Sequence, residues 1–367
     1  MKITFLVSSP NFSGGLKVIL IHADNLRKRG HDVLVVSVPP RKPSFRDQLR
    51  SIKSGNGWIK YDPNPPSHRD EFDLNYKVID KYRPFTDEDL PDADILFFSW
   101  WQKAEWANDL SESKGRKVHF IQGHEVFEYL PQERAKAVYK MPFYKIAVSK
   151  WLQNIVYESY GGRKPDLVGN TVDLSHFSMI ERAKSSDFTI GFLYSTVAKK
   201  NTKLSIEVIT KIKEFYPSVK VVSFGDLKPN AQLPLPEWVE FHHAPSQDDI
   251  PVIYGRADVW LFSSFSEGFG LPLLEAMACG TPVVATRAGA AEQYIDQTTG
   301  ALVDGDLDSF MAALTRIIKM NDAEWRKMSN AAYDKVKGYT WEDATQLLEN
   351  SLHRALDEVG SNDNLHE

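Results

Sequence analysis

The sequence predicts an α/β protein made of two doubly wound parallel-sheet domains that face each other across a central cleft. Three observations carry that prediction. Short apolar runs alternate with amphipathic helical patterns along nearly the whole chain, the signature of a parallel sheet covered on both faces. The second half repeats the scheme of the first, and Gly161-Gly162-Arg163-Lys164-Pro165 between them reads as a hinge. A length of 367 residues leaves room for two or three domains, and a hydrophobic content of 42% supplies their cores.

In chain order, residues 3–7 read as the first strand, and residues 16–29 follow with Leu16, Ile19, Ala23 and Leu26 at helical spacing. Further strands are expected at 33–38, 95–98, 118–121 and 146–148. The stretch 41–69 breaks the rhythm with Ser54-Gly55-Asn56-Gly57 and Pro63-Asn64-Pro65-Pro66, and long irregular insertions are often functional loops. Its first part, 41–60, holds six basic residues (Arg41, Lys42, Arg46, Arg50, Lys53, Lys60) against one acid, Asp47. Phe45, Leu49 and Ile52 recur beside them at i, i+4 and i+7. Two readings stay open. One is a surface helix capping the sheet with a solvated basic face. The other is a contact for an anionic membrane or acceptor through Arg46, Arg50 and Lys53.

The second half offers strands at 189–193, 219–224, 239–242, 259–262 and 283–285, and helices at 204–215, 273–277 and 310–318. Residues 1–165 are expected to form one domain and 166–340 the other. The last helical stretch, about 341–360, is open to packing on either domain, a return onto the first included.

Composition narrows the function classes. Lys plus Arg number 44 and Asp plus Glu 49, a net charge of −5, so a basic nucleic-acid binder is not expected. Cys279 is the single cysteine, which excludes an intramolecular disulfide and any site built from several thiolates. The longest apolar run, 95–101, falls far short of the roughly 18 residues of a membrane span. The opening MKITFLVSSP reads as a first strand rather than a signal peptide. The expected address is the cytoplasm, with the inner face of the membrane as the variant that the basic insertion allows.

The most informative stretch is SSFSEGFGLPLLEAMA, residues 263–278. It follows an apolar strand, runs through the glycine-rich turn Gly268-Phe269-Gly270 and enters a helix. Pro272 suits a first helical position, where its missing N–H would be unpaired anyway. The exposed amides of Phe269, Gly270 and Leu271 would then converge on one spot and, with the helix dipole, make an anion site. Glu267 before the turn and Glu275 in the first helical turn can each accept paired hydroxyl hydrogen bonds, as a ribose or hexose offers. A plain strand–turn–helix connection, with Glu267 solvated, is the competing reading.

These residues resemble the E-x7-E signature of glycosyltransferase family 4, with Glu267 and Glu275 enclosing GFGLPLL. The downstream GTPVVAT at 280–286, then Gly289, Glu292 and Thr299-Gly300, is similar to that family's next strand and loop. Asn170-Thr171-Val172-Asp173 with Phe177 is similar to its interdomain element, and Tyr339-Thr340-Trp341 to the opening of its last helix. Gly14-Gly15 and Gly30-His31-Asp32-Val33 look like its opening loop and second strand. The resemblance implies the GT-B fold of two Rossmann-like domains and a retaining sugar transfer from a nucleotide-diphosphate sugar to an acceptor hydroxyl. A growing bacterial glycan or a lipid-linked glycan is the acceptor it implies, with no cofactor and no metal. Glu267, Lys200, His124 and Gln122 then become the catalytic candidates. Glu275, Gly268, Phe269, Gly270, Leu271, Gly14, Gly15, Ser195 and Lys199 become the donor-binding candidates.

Two departures stand out. Ser195 occupies the place of the family's usual Arg, so Lys200, aided by Lys199, would clamp the diphosphate alone. Gln122 occupies the place of its usual His, with His124 two residues on and Glu125 beside it, and either can take the sugar-contact role. Asp92/Asp94, Asp304/Asp306 and Asp306/Asp308 match the Asp-x-Asp of metal-using transferases of another fold, and Asp92/Asp94, at a strand entrance, read more simply as a solvated turn. A GT-B sugar-nucleotide epimerase and a non-catalytic donor-binding subunit of a glycan-assembly complex remain as alternatives.

Overall fold

A computed structural model describes residues 1–53 and 57–363, with side chains as far as residue 358. Ser54, Gly55 and Asn56 of the insertion lie outside the described residues. The chain divides into two units, one of residues 1–147, 153–168 and those from Thr345 on, the other of residues 148–152 and 169–344.

The first unit is a seven-stranded sheet. In chain order it contains β1 (Lys2–Val7), α1 (Gly14–Lys28), β2 (Asp32–Ser37), α2 (Phe45–Lys53), β3 (Asn75–Val78) and β4 (Ile95–Phe98). It continues with α3 (Trp101–Asn108), β5 (Arg116–Ile121), α4 (Gln132–Lys140), β6 (Tyr144–Ala147), α5 (Lys150–Tyr160) and β7 (Asp166–Leu167). The strand order is β3-β2-β1-β4-β5-β6-β7, every pair parallel. Its middle is an aromatic seam, with the rings of Phe5, Phe97 and Phe120 in tilted contact at 4.8 and 5.2 Å between centroids.

The second unit contains β8 (Thr189–Leu193), α6 (Thr202–Phe215), β9 (Lys220–Gly225), β10 (Glu240–His243), α7 (Asp249–Arg256), β11 (Val259–Phe262) and α8 (Leu271–Ala278). After these come β12 (Val283–Thr286), α9 (Ala291–Tyr294), β13 (Gly300–Val303), α10 (Leu307–Ile318) and α11 (Asp322–Lys337). The last helix, α12 (Trp341–Asp363), belongs to the first unit from Thr345 on. The six strands run in the order β10-β9-β8-β11-β12-β13, again all parallel. Its core joins β8, β11, α6 and α10 through Ile190, Phe192, Leu261, Val208, Ile212, Phe310 and Leu314. Asp258, fully buried at the start of β11, is held by Arg182 (2.7 Å) and by the backbone N–H groups of Thr189 (2.7 Å) and Ser185 (3.1 Å).

Both sheets are therefore doubly wound, as the apolar alternation predicts. In each, the order reverses beside the first strand, between β1 and β4 and between β8 and β11. Ligands of open α/β sheets bind outside the carboxyl ends of the strands at that reversal.

The structure also contains strands the sequence reading passes over. β3 (NYKV) is a half-exposed edge strand and β7 has two residues, so neither offers an apolar run. α4 buries only Ala135, Val138 and Tyr139 of its nine residues, which leaves a thin stripe. The helix α11 turns Trp325, Met328, Ser329, Ala332 and Val336 inward behind an Asn321–Glu324 capping box, a helix signal outside the expected elements. The helix expected in the insertion forms as α2, but its apolar positions do not cap the sheet. Gln48 is its buried residue, while Phe45, Leu49 and Ile52 are 70%, 43% and 49% exposed.

Candidate functional site

In the second unit, the loops leaving β8 and β11 are stitched together at the reversal point. Ser263 Oγ donates to the carbonyls of Lys200 (3.0 Å) and Asn201 (3.1 Å) and lies 2.8 Å from Ser205 Oγ. The Phe265 N–H donates to the Lys199 carbonyl at 3.0 Å. Asn201 takes a left-handed φ of 51°, so the chain turns sharply there and aims Lys200 back across the strand ends.

Lys200 meets Glu267 there, Nζ to Oε1 at 2.6 Å, and Ser264 Oγ donates to the same oxygen at 2.8 Å. Glu267 is only 7% exposed, so the pair is charge-assisted and largely withdrawn from water. Glu267 Oε2 has no partner among the described residues, which leaves it to accept from a ligand hydroxyl.

The turn that follows is shaped by two glycines. Gly270 has φ 96°, and a Cβ there would come 2.7 Å from Phe262 Cζ. Gly289 has φ 63°, and its Cβ would come 2.4 Å from the Phe269 carbonyl oxygen. Side chains at either place would push the turn out of position. Ser149 Oγ donates to the Gly268 carbonyl (2.7 Å) and the Ala290 N–H to the Phe269 carbonyl (2.8 Å). With these carbonyls tied behind the turn, the N–H groups of Phe269 and Gly270 remain without an acceptor among the described residues. They stand at the positive end of α8, an anion-binding arrangement. A small cleft beside them is lined by Leu193, Lys200, Ser263, Ser264 and Pro272.

Two sequence expectations need correction. Left-handed Gly270 is the helix cap, so α8 starts at Leu271 and Pro272 is its second residue, not its first. That costs nothing, since the first four N–H groups have no intrahelical partner. For the same reason Glu275 is the fifth residue, beyond the first turn. Its Oε2 accepts from the Tyr254 hydroxyl at 2.9 Å. Burial, with Glu275 adjacent, pushes the Tyr254 phenol well above its ordinary range, so it stays a donor. Burial also lifts the Cys279 thiol to about 12. Ser195 acts as a brace. Its N–H donates to Thr202 Oγ1 (3.0 Å), its carbonyl accepts from that hydroxyl (2.7 Å) and its own Oγ accepts from the Val197 N–H (3.2 Å).

In the first unit, the reversal point gathers Gly14 and Gly15 at the start of α1, Ser99 after β4 and Gln122 after β5. Gln122 Nε2 donates to the Gly15 carbonyl (3.0 Å) and to Ser99 Oγ (3.3 Å). Beside Ser99, Trp100 has φ 75°, a rare conformation for a non-glycine residue. The Trp101 N–H donates to buried Glu125 at 2.5 Å. His124 joins another cluster, with Nε2 2.7 Å from the Tyr160 hydroxyl and its ring against Tyr139. Its pKa is lowered by burial and by Lys136. Arg46, Arg50 and Lys53 lie on α2, and no hydrogen bond or ion pair among the described residues joins them to Gly15 or Gln122. The Asp-x-Asp carboxylates have local work, since Asp306 caps α10 through Ser309 (2.9 Å) and Asp92 pairs with Lys114 (2.9 Å).

The sequence reading gives no role to Ser264, Ser263 or Ser149, and meets Gly289 only within the downstream stretch of the resemblance. The serines preceding Glu267 were on view, but nothing local says which side of the turn they face. Ser149 and Gly289 reach the turn from distant parts of the chain.

Residues 177–335 match the family model described as Glycosyl transferases group 1. A D-inositol 3-phosphate glycosyltransferase of Mycobacterium marinum is 36% identical over 128 residues, 34% of this chain and 28% of that protein. The chain thus aligns with little more than a quarter of that relative's length. Among solved structures, sucrose-phosphate synthase of Thermosynechococcus elongatus superposes over 98% of this chain and 100% of its own, with a TM-score of 0.72 and 17% identity. The Anabaena protein HepE, in complex with UDP and glucose, covers 96% of this chain and 100% of its own, with a TM-score of 0.71 and 17% identity. The fold is GT-B, with two Rossmann-like parallel-sheet units.

Proposed function

We propose that this chain is a glycosyltransferase that moves a sugar from a nucleotide-diphosphate sugar to an acceptor hydroxyl with retention of configuration and without a metal. The observation that carries the proposal is the Lys200–Glu267 pair set beside the free amides of Phe269 and Gly270 at the reversal point of the second sheet. A diphosphate lying on those amides, with Lys200 against it, meets preorganised positive charge where the leaving group becomes more negative. Glu267 Oε2 and the carboxylate of Glu275 then accept hydroxyls of the donor sugar and of the nucleotide ribose. The match of 177–335 to a transferase family, and the UDP and glucose held by the similar HepE fold, support this reading.

The chemistry needs few protein groups. The acceptor oxygen bonds to the anomeric carbon from the face the diphosphate leaves, the bond to the phosphate oxygen breaks, and that oxygen takes the acceptor proton. The second carboxylate of a retaining glycosidase has no counterpart in this account. On the first unit, Ser99 and Gln122 are assigned to the acceptor side, with a glycan or lipid-linked glycan as its class, while Gly14 and Gly15 stay donor-side candidates. Incubation with uridine, guanosine, adenosine and thymidine diphosphate sugars and a panel of glycan acceptors tests the proposal. Release of nucleoside diphosphate that depends on acceptor, survives a strong chelator and gives a product of the donor's anomeric configuration supports it. An inverted product, or turnover lost to the chelator, refutes the corresponding part.

A second reading, donor binding without transfer, is favoured by one observation. Ser195, spent on Thr202 and Val197, brings no charge to the diphosphate. Tight nucleotide binding with no turnover on any acceptor would select it.

A further inference from the structure

We propose that α2, together with Trp58 and Ile59, forms a docking surface for an anionic lipid membrane, with α2 lying in the plane of the interface. The helix is turned inside out relative to an ordinary surface helix. Its buried side is polar: Gln48 is 6% exposed, donates through Nε2 to the Ile59 carbonyl (3.0 Å) and accepts through Oε1 from the Ile59 N–H (2.8 Å). Its outward side is apolar, through Phe45, Leu49 and Ile52 at i, i+4 and i+7. The Gln48 clamp ties Ile59, 37% exposed, to the helix, and its neighbour Trp58 is 63% exposed. A soluble surface helix places these types the other way round.

The rim is cationic. Arg46, Arg50 and Lys53 follow the apolar row one residue later, about 100° round the helix. Arg46, Lys53 and Lys60 pair with no carboxylate among the described residues, and Arg50 faces Asp47 at a loose 3.9 Å. Residues 41–60 carry six positive charges and one negative in a chain whose net charge is −5, so this surface opposes the charge of the molecule that bears it. An apolar face that enters the acyl boundary, flanked by cations at headgroup level and by a tryptophan, is the composition of an interfacial helix. Charge complementarity singles out an anionic surface, because phosphate headgroups are what this unpaired basic rim can satisfy. The inference extends past the donor chemistry and does not depend on it.

The test is sedimentation of the full chain with vesicles, with no sugar donor present, so that its failure is separate from failure of the transferase reading. Vesicles of phosphatidylglycerol and phosphatidylcholine should carry the protein down, and pure phosphatidylcholine vesicles should not. Phe45→Ser, Leu49→Ser and Trp58→Ser together, and separately Arg46→Glu with Arg50→Glu, should each lower the partition coefficient about tenfold or more. Far-UV circular dichroism should be unchanged in both variants, as expected for exposed positions. Protein that stays in the supernatant, variants that bind like the wild type, or equal binding to neutral vesicles overturns the proposal. So does self-association without vesicles that the serine variant abolishes, since the occupant would then be a second copy of the chain.

Discussion

Lys200 draws its meaning from where its charge goes. Beside a carboxylate and two unpaired amides it can serve a ground-state ion pair or a departing diphosphate, and kinetics separates the two. Lys200→Ala should lower kcat about 100- to 1000-fold, the scale for losing one preorganised donor, while donor affinity changes by less than about tenfold. A collapse of affinity with kcat intact would make Lys200 a binding residue only. Lys103 gives a residue-scale prediction away from the site. It is 2% exposed, with Nζ 4.1 Å from the Trp106 ring centroid and 5.8 Å from that of Tyr82, and burial with Arg41 nearby pushes its pKa down to about 7. The unfolded chain, with an ordinary value of 10.5, binds more protons between pH 7 and 10.5. Stability therefore rises with pH through that window, and the penalty is complete below it. Lys103→Met should stabilise the protein by about 1–3 kcal/mol at pH 7. The gain should fade toward pH 10 in chemical denaturation, and a gain that does not change with pH would contradict the assignment. Residues with a local logic were legible in the sequence: Glu267, Gly270 and Glu275 from their spacing, and Lys200 from the resemblance. The brace at Ser195 and the Gln48 clamp were not, because each depends on a partner seven or more residues away that only the fold brings near.

At the scale of elements, the sheet ends position the chemistry, and the strands that lead there depend on their opposite ends. Asp258, immediately before β11, ties Arg182, Ser185 and the first residue of β8 into one knot. Asp258→Ala would take from two backbone amides their acceptor and from Arg182 its carboxylate partner, leaving the guanidinium only the Gly255, Ala257 and Ala183 carbonyls and Ser185 Oγ. It should destabilise the second unit by about 3–5 kcal/mol, the scale for removing one partner of a buried pair. Urea unfolding followed through Trp260 and Trp325, both buried in this unit, reads that loss, and a change under about 1 kcal/mol would show that the knot is dispensable. The central strands were legible because burial on both faces writes continuous apolar runs. Edge strands β3 and β7 were not, since a half-exposed or two-residue strand has no such run. In α2 the helix was legible, but the direction of its apolar row was not: periodicity gives a face, and only the inward Gln48 shows which face turns out.

Across the whole molecule, composition set the class and topology set the place. A repeated alternation of strand and helix was enough for two doubly wound sheets, and each carries its candidate groups at the carboxyl ends of the strands where the order reverses. No helix among the described residues is long and apolar enough to cross a membrane. A nucleoside diphosphate bound to the folded chain should raise its stability by about 2.7 kcal/mol at a hundredfold excess over Kd, and thermal melts against a panel of bases would identify the best one. No shift with any base would argue against a nucleotide donor. The most direct measurement is then a crystal structure with that diphosphate. Its phosphates should lie within about 3 Å of the Phe269 and Gly270 amides and of Lys200 Nζ. Phosphates bound elsewhere, with those three groups still free of them, would contradict the proposed function.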